Sequence, residues 1–166
     1  MFNRIWAGIM TVLMFLFPFF FKPDTNPPTL DVNAAVASVI AAIQSRDIAA
    51  IESYMCKNIK DNVPNLREEI GKLIDAIEGT ITSTSSDSEK TFYASSGGKK
   101  IEQAISWSEI NTSAAESYRV HITWEIYNNF SVEERGIRYI GLTKTTAGAS
   151  DLLTNIMATE GIENWH

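Results

Sequence analysis

The stretch NLREEIGKLIDAIEGTITSTSS (residues 65–86) contains the change from helical to strand periodicity on which the fold depends. Its first half repeats apolar residues three and four positions apart, which is the spacing of an amphipathic helix. Asn65 and Glu68 match a capping box at the start of this helix, and Gly79 ends it. The pattern after Gly79 predicts a short strand over residues 80–86. The apolar stripe of the helix consists of Leu66, Ile70, Leu73, Ile74 and Ile77.

Two more helices are predicted before this stretch. Residues 31–46 carry a helical stripe, and Asp31 is a suitable N-cap because its side chain can accept a backbone hydrogen bond. Asp47 is predicted to cap a second, shorter helix over residues 48–57 in the same way. This helix contains Cys56, the only cysteine of the 166-residue chain, so an internal disulfide is excluded. We expect Cys56 to act as a small buried hydrophobe.

Strand patterns dominate the sequence after residue 80. Residues 91–96 and 99–110 flank Gly97-Gly98, and this arrangement predicts a hairpin. Residues 116–129 predict a strand, because the side chains from Tyr118 to Tyr127 alternate between an apolar face and a more polar face, which is the pattern of a half-buried strand. Residues 136–146 predict a last strand after a loop.

The elements together predict an α+β fold. The Ser-rich tract at 83–88 predicts a loop, and residues 151–161 predict a short helix with one apolar side. Helices that precede a run of antiparallel strands pack together on one face of the sheet. We therefore expect three N-terminal helices on a curved antiparallel sheet of about four strands. This single α+β domain spans residues 30–166 and follows an N-terminal hydrophobic segment (1–22) and a Pro-rich tether (23–29).

The N-terminal segment predicts a location. Residues 5–21 form a run of seventeen residues without a charged side chain, and a spanning helix needs about 17–25 apolar residues. A cleavable signal peptide needs small residues before its cleavage site, and residues 22–28 do not provide them. We expect a retained membrane anchor, with a cleaved signal peptide as the alternative. Both place the domain outside the cytoplasm, tethered to the membrane in the first case and secreted in the second.

Charge and motif content argue against several function classes. The formal net charge of −6 repels the phosphate backbone, so nucleic acid is not an expected partner. One cysteine and two histidines, far apart in the sequence, lack the spacing of zinc ligands. The sequence contains no phosphate-binding glycine loop. We expect no cofactor and no metal, and we assign no catalytic residue.

Two blocks of sequence resemble a known family: residues 46–83, which hold the second and third helices, and residues 118–144, a strand, a loop and a strand with an Ile-Gly step. They are similar to a bacterial family of exported domains of unknown function, often found behind lipoprotein signals. The resemblance implies the cystatin-like cone of the nuclear transport factor two-like superfamily, but no activity and no catalytic residues. Lys22 and Pro23 stand where lipoprotein members have a cysteine, so no lipid anchor is implied.

Four residues on the predicted strands are candidates for a binding site: Trp107, Tyr118, His121 and Trp124. The aromatic side chains can line a cavity mouth, with ordinary core packing as the alternative. His121 and Glu125 share one face of a strand but lie about 13 Å apart at strand spacing, which is too far for a direct pair. This face is expected either to be solvated or to form a homodimer surface. Its polar side chains are those of Arg119, His121, Thr123, Glu125 and Tyr127.

Three hypotheses about function follow. The first is a membrane-tethered, non-catalytic module that binds a small-molecule or protein ligand. The second is a cavity enzyme, a hydrolase or an isomerase, that uses His121 or a buried carboxylate. The third is a purely structural subunit that dimerises through the sheet face.

Overall fold

The computed structural model describes residues 29–146 and 149–157. Four helices come first in this part of the chain: α1 (Val32–Ser45), α2 (Ile48–Tyr54), α3 (Lys57–Asn62) and α4 (Leu66–Asp75). Five strands follow: β1 (Ile81–Ser96), β2 (Lys99–Thr112), β3 (Ser117–Asn128), β4 (Gly136–Thr146) and β5 (Ala149–Met157). A 3₁₀ turn at Val132–Glu134 lies between β3 and β4.

The five strands form one antiparallel sheet in which each strand pairs with the next one along the chain. Helix α1 packs on β1 and β2, α4 packs against β5, and α2 lies between α1 and α4. The helices therefore cover one face of the sheet. The predicted stripe of α4 is confirmed, because all five of its apolar side chains are buried in the core.

The predicted number of three helices is wrong, because the helix expected over residues 48–57 breaks at Met55. Met55 has an extended backbone and forms a parallel bridge with Ile137 at the start of β4. The next backbone amide, of Cys56, donates a hydrogen bond to the Ile137 carbonyl at 3.0 Å. Pairing with β4 thus divides the predicted helix into α2 and α3. Cys56 is fully buried, as expected.

The predicted number of about four strands is also wrong, and the first difference is in β1. The short strand predicted at 80–86, the loop at 83–88 and the strand at 91–96 form one continuous strand that pairs with β2 along its length. Two irregularities, near Thr82 and Thr91, interrupt the register. Because β1 is an edge strand with most of its side chains exposed, its sequence lacks apolar alternation.

The second difference is β5, which replaces the helix predicted at 151–161. Residues 151–157 pair with β4, and Leu142 lies opposite Thr154 in this ladder. Leu152 and Met157 are exposed, so the apolar spacing that suggested a helix does not mark a buried face. Sheet pairing determines the structure here. Residues 158–161 lie outside the described part of the chain.

The helix ends match the predictions in part. The side chains of Asp31 and Asp47 accept hydrogen bonds from Ala34 and Ala50 backbone amides, so both N-caps are confirmed. The capping box is wrong, because Asn65 adopts a left-handed backbone with φ of 53° and makes no side-chain cap bond.

The predicted anchor at residues 5–21 lies outside the described residues. Within residues 29–146 and 149–157, no helix has the length and apolar content needed to cross a membrane.

Candidate functional site

The structure divides the four predicted binding residues between the two faces of the sheet. Tyr118 and Trp124 point toward the helices and are completely buried. Trp107 and His121 lie directly opposite each other on β2 and β3, on the face turned away from the helices, which we call the open face. Both are half-buried. The structure therefore does not bring the four residues together in one site.

The buried pair belongs to the core. The indole of Trp124 donates a hydrogen bond to the Ser106 hydroxyl at 2.8 Å, and the Tyr54 ring meets it edge-on with centroids 6.3 Å apart. The Tyr118 hydroxyl accepts a hydrogen bond from the Glu78 backbone amide at 3.0 Å. Each polar tip thus has a partner inside the protein, which is the usual arrangement of a buried Trp or Tyr. These contacts favour the interpretation of both residues as core aromatics.

The open face carries a second group of aromatic side chains. The rings of His121 and Tyr139 meet edge-on, with centroids 5.6 Å apart and an interplanar angle of 64°. Trp107 lies on the other side of His121, across the β2–β3 ladder. We call Trp107, His121 and Tyr139 the aromatic patch. It occupies the three central strands of the sheet, where one strand contributes each side chain.

Gly141 explains how Tyr139 takes its place in the patch. It lies opposite His121 in the β3–β4 ladder, two residues after Tyr139. A Cβ atom at this position would overlap the end of the Tyr139 ring and its hydroxyl. The missing side chain therefore lets Tyr139 lie along its own strand and reach His121. Sequence reasoning missed Tyr139, although the Tyr-Ile-Gly spacing is visible in the sequence.

The electrostatics of the patch favour a neutral histidine. Partial burial lowers the pKa of His121, and the nearby positive charge of Arg119 lowers it further. Arg119 is itself held by Glu109, with its Nε 2.6 Å from a carboxylate oxygen. His121 thus presents an uncharged ring between two other aromatic side chains, with a cation rather than a carboxylate influencing its protonation. This environment fits contact with a neutral or apolar surface.

Glu125 and Tyr127 do not lie on a solvated face, which makes that prediction wrong for them. The β2–β3 register shifts between Glu102 and Gln103. Glu125 and Tyr127 are both buried. One Glu125 carboxylate oxygen accepts from the Asn128 side chain at 2.6 Å, and the other accepts from Arg138 at 2.9 Å. Burial raises the pKa of Glu125, and the bonds from Asn128 and Arg138 partly oppose this effect.

A family model described as a domain of unknown function, DUF5104, matches residues 38–145. The chain belongs to the DUF5104 family. This confirms the expected membership of a domain-of-unknown-function family. No curated protein matches the chain. The matched region begins in α1, ends in β4 and contains the whole aromatic patch.

The DUF5104 domain also has a groove between the start of α1 and the first two strands. Its volume is about 390 Å³. Leu30, Ala104 and Ile126 form an apolar part of its wall, whereas Asp31, Glu89 and Lys90 contribute charges. His121 and Glu125 are not among the lining residues, so the groove does not combine with either titratable group discussed above.

Two further features bear on catalysis. Within the described ranges, no three His, Cys, Asp or Glu side chains are arranged to hold a metal ion. Burial raises the pKa of the Cys56 thiol, which therefore lacks the thiolate character of a nucleophile.

Proposed function

We propose that this DUF5104 domain is a non-catalytic binding module outside the cytoplasm, tethered to a membrane by residues 1–22. The charge-free run at residues 5–21 and the absence of small residues before a cleavage site support a retained anchor. N-terminal sequencing of the native protein tests this point. A mature chain that starts between residues 24 and 35 would show cleavage and contradict the tether.

The binding surface of this module is the open face, and the observation that carries the proposal is the aromatic patch. Trp107, His121 and Tyr139 are only half-buried, and the described helices pack on the other face of the sheet. Aromatic side chains are enriched at protein interfaces because they bury a large area at a small cost in side-chain entropy. The patch therefore supports a protein partner.

A second copy of the chain is the partner that we favour. Tethering to a membrane holds copies at a high effective concentration, so a patch of modest area can support association. A twofold axis near His121 would bring the same neutral rings together from both copies. A neutral centre also avoids direct apposition of the negative charges that dominate the chain.

Light scattering on the full chain in a mild detergent tests the second-copy proposal. We expect a dimer whose dissociation constant rises about tenfold or more for Trp107→Ala, since interface tryptophans commonly contribute over 1.4 kcal/mol. Val132→Ala is the matched control, because Val132 is an exposed apolar residue in the 3₁₀ turn. A wild-type chain that stays monomeric at high concentration would refute the dimer.

The enzyme alternative has less support. A catalytic His121 needs a reacting group and an orienting carboxylate, but its neighbours here are Arg119 and Tyr139. Glu125 has the raised pKa expected of a general acid, yet it is only 1% exposed and is bonded to Asn128 and Arg138. A substrate could reach this carboxylate only after the hydrogen bonds from Asn128 and Arg138 had opened.

A further inference from the structure

We propose that one end of the sheet lies on the surface of an anionic lipid bilayer. This end, which we call the hairpin end, contains the β1–β2 turn and the β3–β4 loop. The inference rests on the proposed membrane tether and specifies which part of the domain faces the lipid. The residues that form the contact are Phe92, Tyr93, Lys99, Lys100 and Phe130.

The hairpin end exposes three aromatic side chains. Tyr93 is 62% exposed, Phe92 46% and Phe130 48%. Large exposed apolar side chains on a soluble surface often mark interaction sites. Aromatic residues are also the type enriched where a protein meets the headgroup region of a bilayer.

Lysine side chains lie beside these rings. The ammonium of Lys99 is 5.0 Å from the centroid of the Phe130 ring, and that of Lys100 is 5.3 Å from the Tyr93 ring. Residues 90–101 contain three lysines and no acidic residue, in a chain with a net charge of −6. Glu102 pairs with Lys100 at 2.7 Å and with Lys90 at 3.5 Å, so residues 90–102 carry three lysines and one acid. The β3–β4 loop adds Glu133, Glu134 and Arg135, but Glu134 turns toward α3, where it accepts a hydrogen bond from the Asn58 backbone amide at 3.1 Å. The positive balance is therefore confined to the hairpin. Juxtamembrane lysines of this kind are attracted to anionic lipids.

Asn129 joins the turn and the loop into one surface. Its side-chain amide donates to the Gly98 carbonyl at 2.9 Å, and its side-chain oxygen accepts from the Lys100 backbone amide at 2.8 Å. Gly97 and Gly98 both have positive φ angles, which suit a tight two-residue turn. Phe130 is therefore fixed next to the hairpin instead of moving independently of it.

The chain enters the domain near the same end. The Leu30 backbone amide donates to the Ile126 carbonyl at 2.8 Å, and Ile126 precedes Tyr127, whose ring lies 4.9 Å from the Lys100 ammonium. The seven-residue tether at 23–29 spans at most about 25 Å. From Ala104, which lines the groove beside Leu30, to Gly98 is about 20 Å along β2. An anchored tether is thus long enough for the hairpin end to reach the lipid surface.

Among the described residues, the opposite end of the sheet has no exposed aromatic side chain. The β2–β3 turn there is Ser113-Ala114-Ala115-Glu116, with small side chains and one acid. Lys144 at this end pairs with Glu116 at 3.1 Å. The chain therefore has one end suited to an anionic surface and one that is not, which makes the orientation of the domain testable.

The test uses the full chain reconstituted into vesicles. Ser96→Cys and Ala114→Cys place a fluorescent label at the hairpin end and at the opposite end, because both positions are exposed and the native Cys56 is buried. Vesicles contain phosphatidylcholine alone or with 30% phosphatidylglycerol, plus a lipid with a nitroxide headgroup that quenches nearby labels. We expect the label at position 96 to be quenched several-fold more than that at 114, and more strongly with phosphatidylglycerol.

Charge reversal tests the lysines. Lys99→Glu in the Ser96→Cys background should reduce the docked population more than about fivefold, since one lysine near an anionic surface contributes about that factor. Equal quenching at positions 96 and 114, or quenching that ignores phosphatidylglycerol, would overturn the inference. Alkaline extraction of the same vesicles tests the tether separately. Protein that is washed off contradicts the anchor, whereas retained protein with equal quenching contradicts only the hairpin contact.

Discussion

The two faces of the sheet use aromatic side chains in different ways. On the covered face, Trp124 and Tyr118 are completely buried, and each polar tip bonds to a partner inside the protein. On the open face, Trp107 and His121 are half-buried, and the His121 ring meets the Tyr139 ring edge-on. Removal of a covered aromatic should therefore affect folding, whereas removal of an open one should affect association.

The largest effect is expected on the covered face. Trp124→Ala removes a buried indole and leaves Ser106 without its hydrogen-bond partner, so the free energy of unfolding should fall by about 3–5 kcal/mol. Trp107→Ala is the matched control and should cost less than half as much, because the side chain is partly exposed. Urea denaturation measures both values. Equal costs would show that the two faces do not differ as described.

Arg138→Ala should have the next largest effect. It removes the cation that bonds to the buried Glu125 carboxylate and leaves that charge without compensation. Breaking a buried ion pair typically costs about 3–5 kcal/mol, and residual bonding from Asn128 places this change near the lower value. The double variant Glu125→Gln with Arg138→Ala should lose less than the sum of the single changes in urea denaturation. Strict additivity would contradict the pairing.

A smaller, pH-dependent effect is expected on the open face. The pKa of His121 is lowered in the folded state by burial and by Arg119, so folding favours the neutral ring. The neutral His121 ring therefore contributes fully to the free energy of unfolding above the unfolded pKa of about 6.5. This contribution is lost as the pH falls through the lowered pKa of the folded state. Melting temperatures from pH 7.5 to 5 should fall less for His121→Gln than for the wild type. If the melting temperatures of the two proteins fall in parallel, His121 does not cause the pH dependence.

The smallest effect on stability is expected for Gly141→Ala. The new Cβ overlaps the end of the Tyr139 side chain, which can swing away from the sheet. We expect a loss of under about 1 kcal/mol, as for most surface changes, together with weaker dimer formation in light scattering. Gly71→Ala is a useful comparison because its new Cβ would meet Ile48 only at ordinary contact distance. Unchanged dimer formation would show that the position of Tyr139 does not matter for the dimer interface.

Periodicity in the sequence predicted correctly those elements that bury one face and expose the other. The stripe of α4 and the alternation over Tyr118, Val120, Ile122 and Trp124 both correspond to one buried face. Edge strand β1 has most side chains exposed, so it carries no such pattern, and its Ser-rich part resembled a loop. In β5 the spacing of Leu152 and Ile156 imitated a helix, and pairing with β4 determined the structure instead.

The site was predictable only in part, for a similar reason. The sequence pattern placed Trp107 and His121 on predicted strands. Tyr139 joins them because of Gly141, and that contact depends on the pairing of β3 with β4. The bond between Glu125 and Arg138 depends on register shifts in two ladders, which periodicity within one strand cannot reveal.

The long edge strand β1 also bears on solubility. The outer edge of such a strand presents backbone donors and acceptors that can add a strand from another molecule and begin a fibril. Asp87, Glu89 and Lys90 place charges in the middle of β1, and the irregularity near Thr91 interrupts its register. Charges and irregularities of this kind are common defences against edge-to-edge aggregation. These charges and this irregularity of β1 should thus limit aggregation at the high local concentrations that self-association requires.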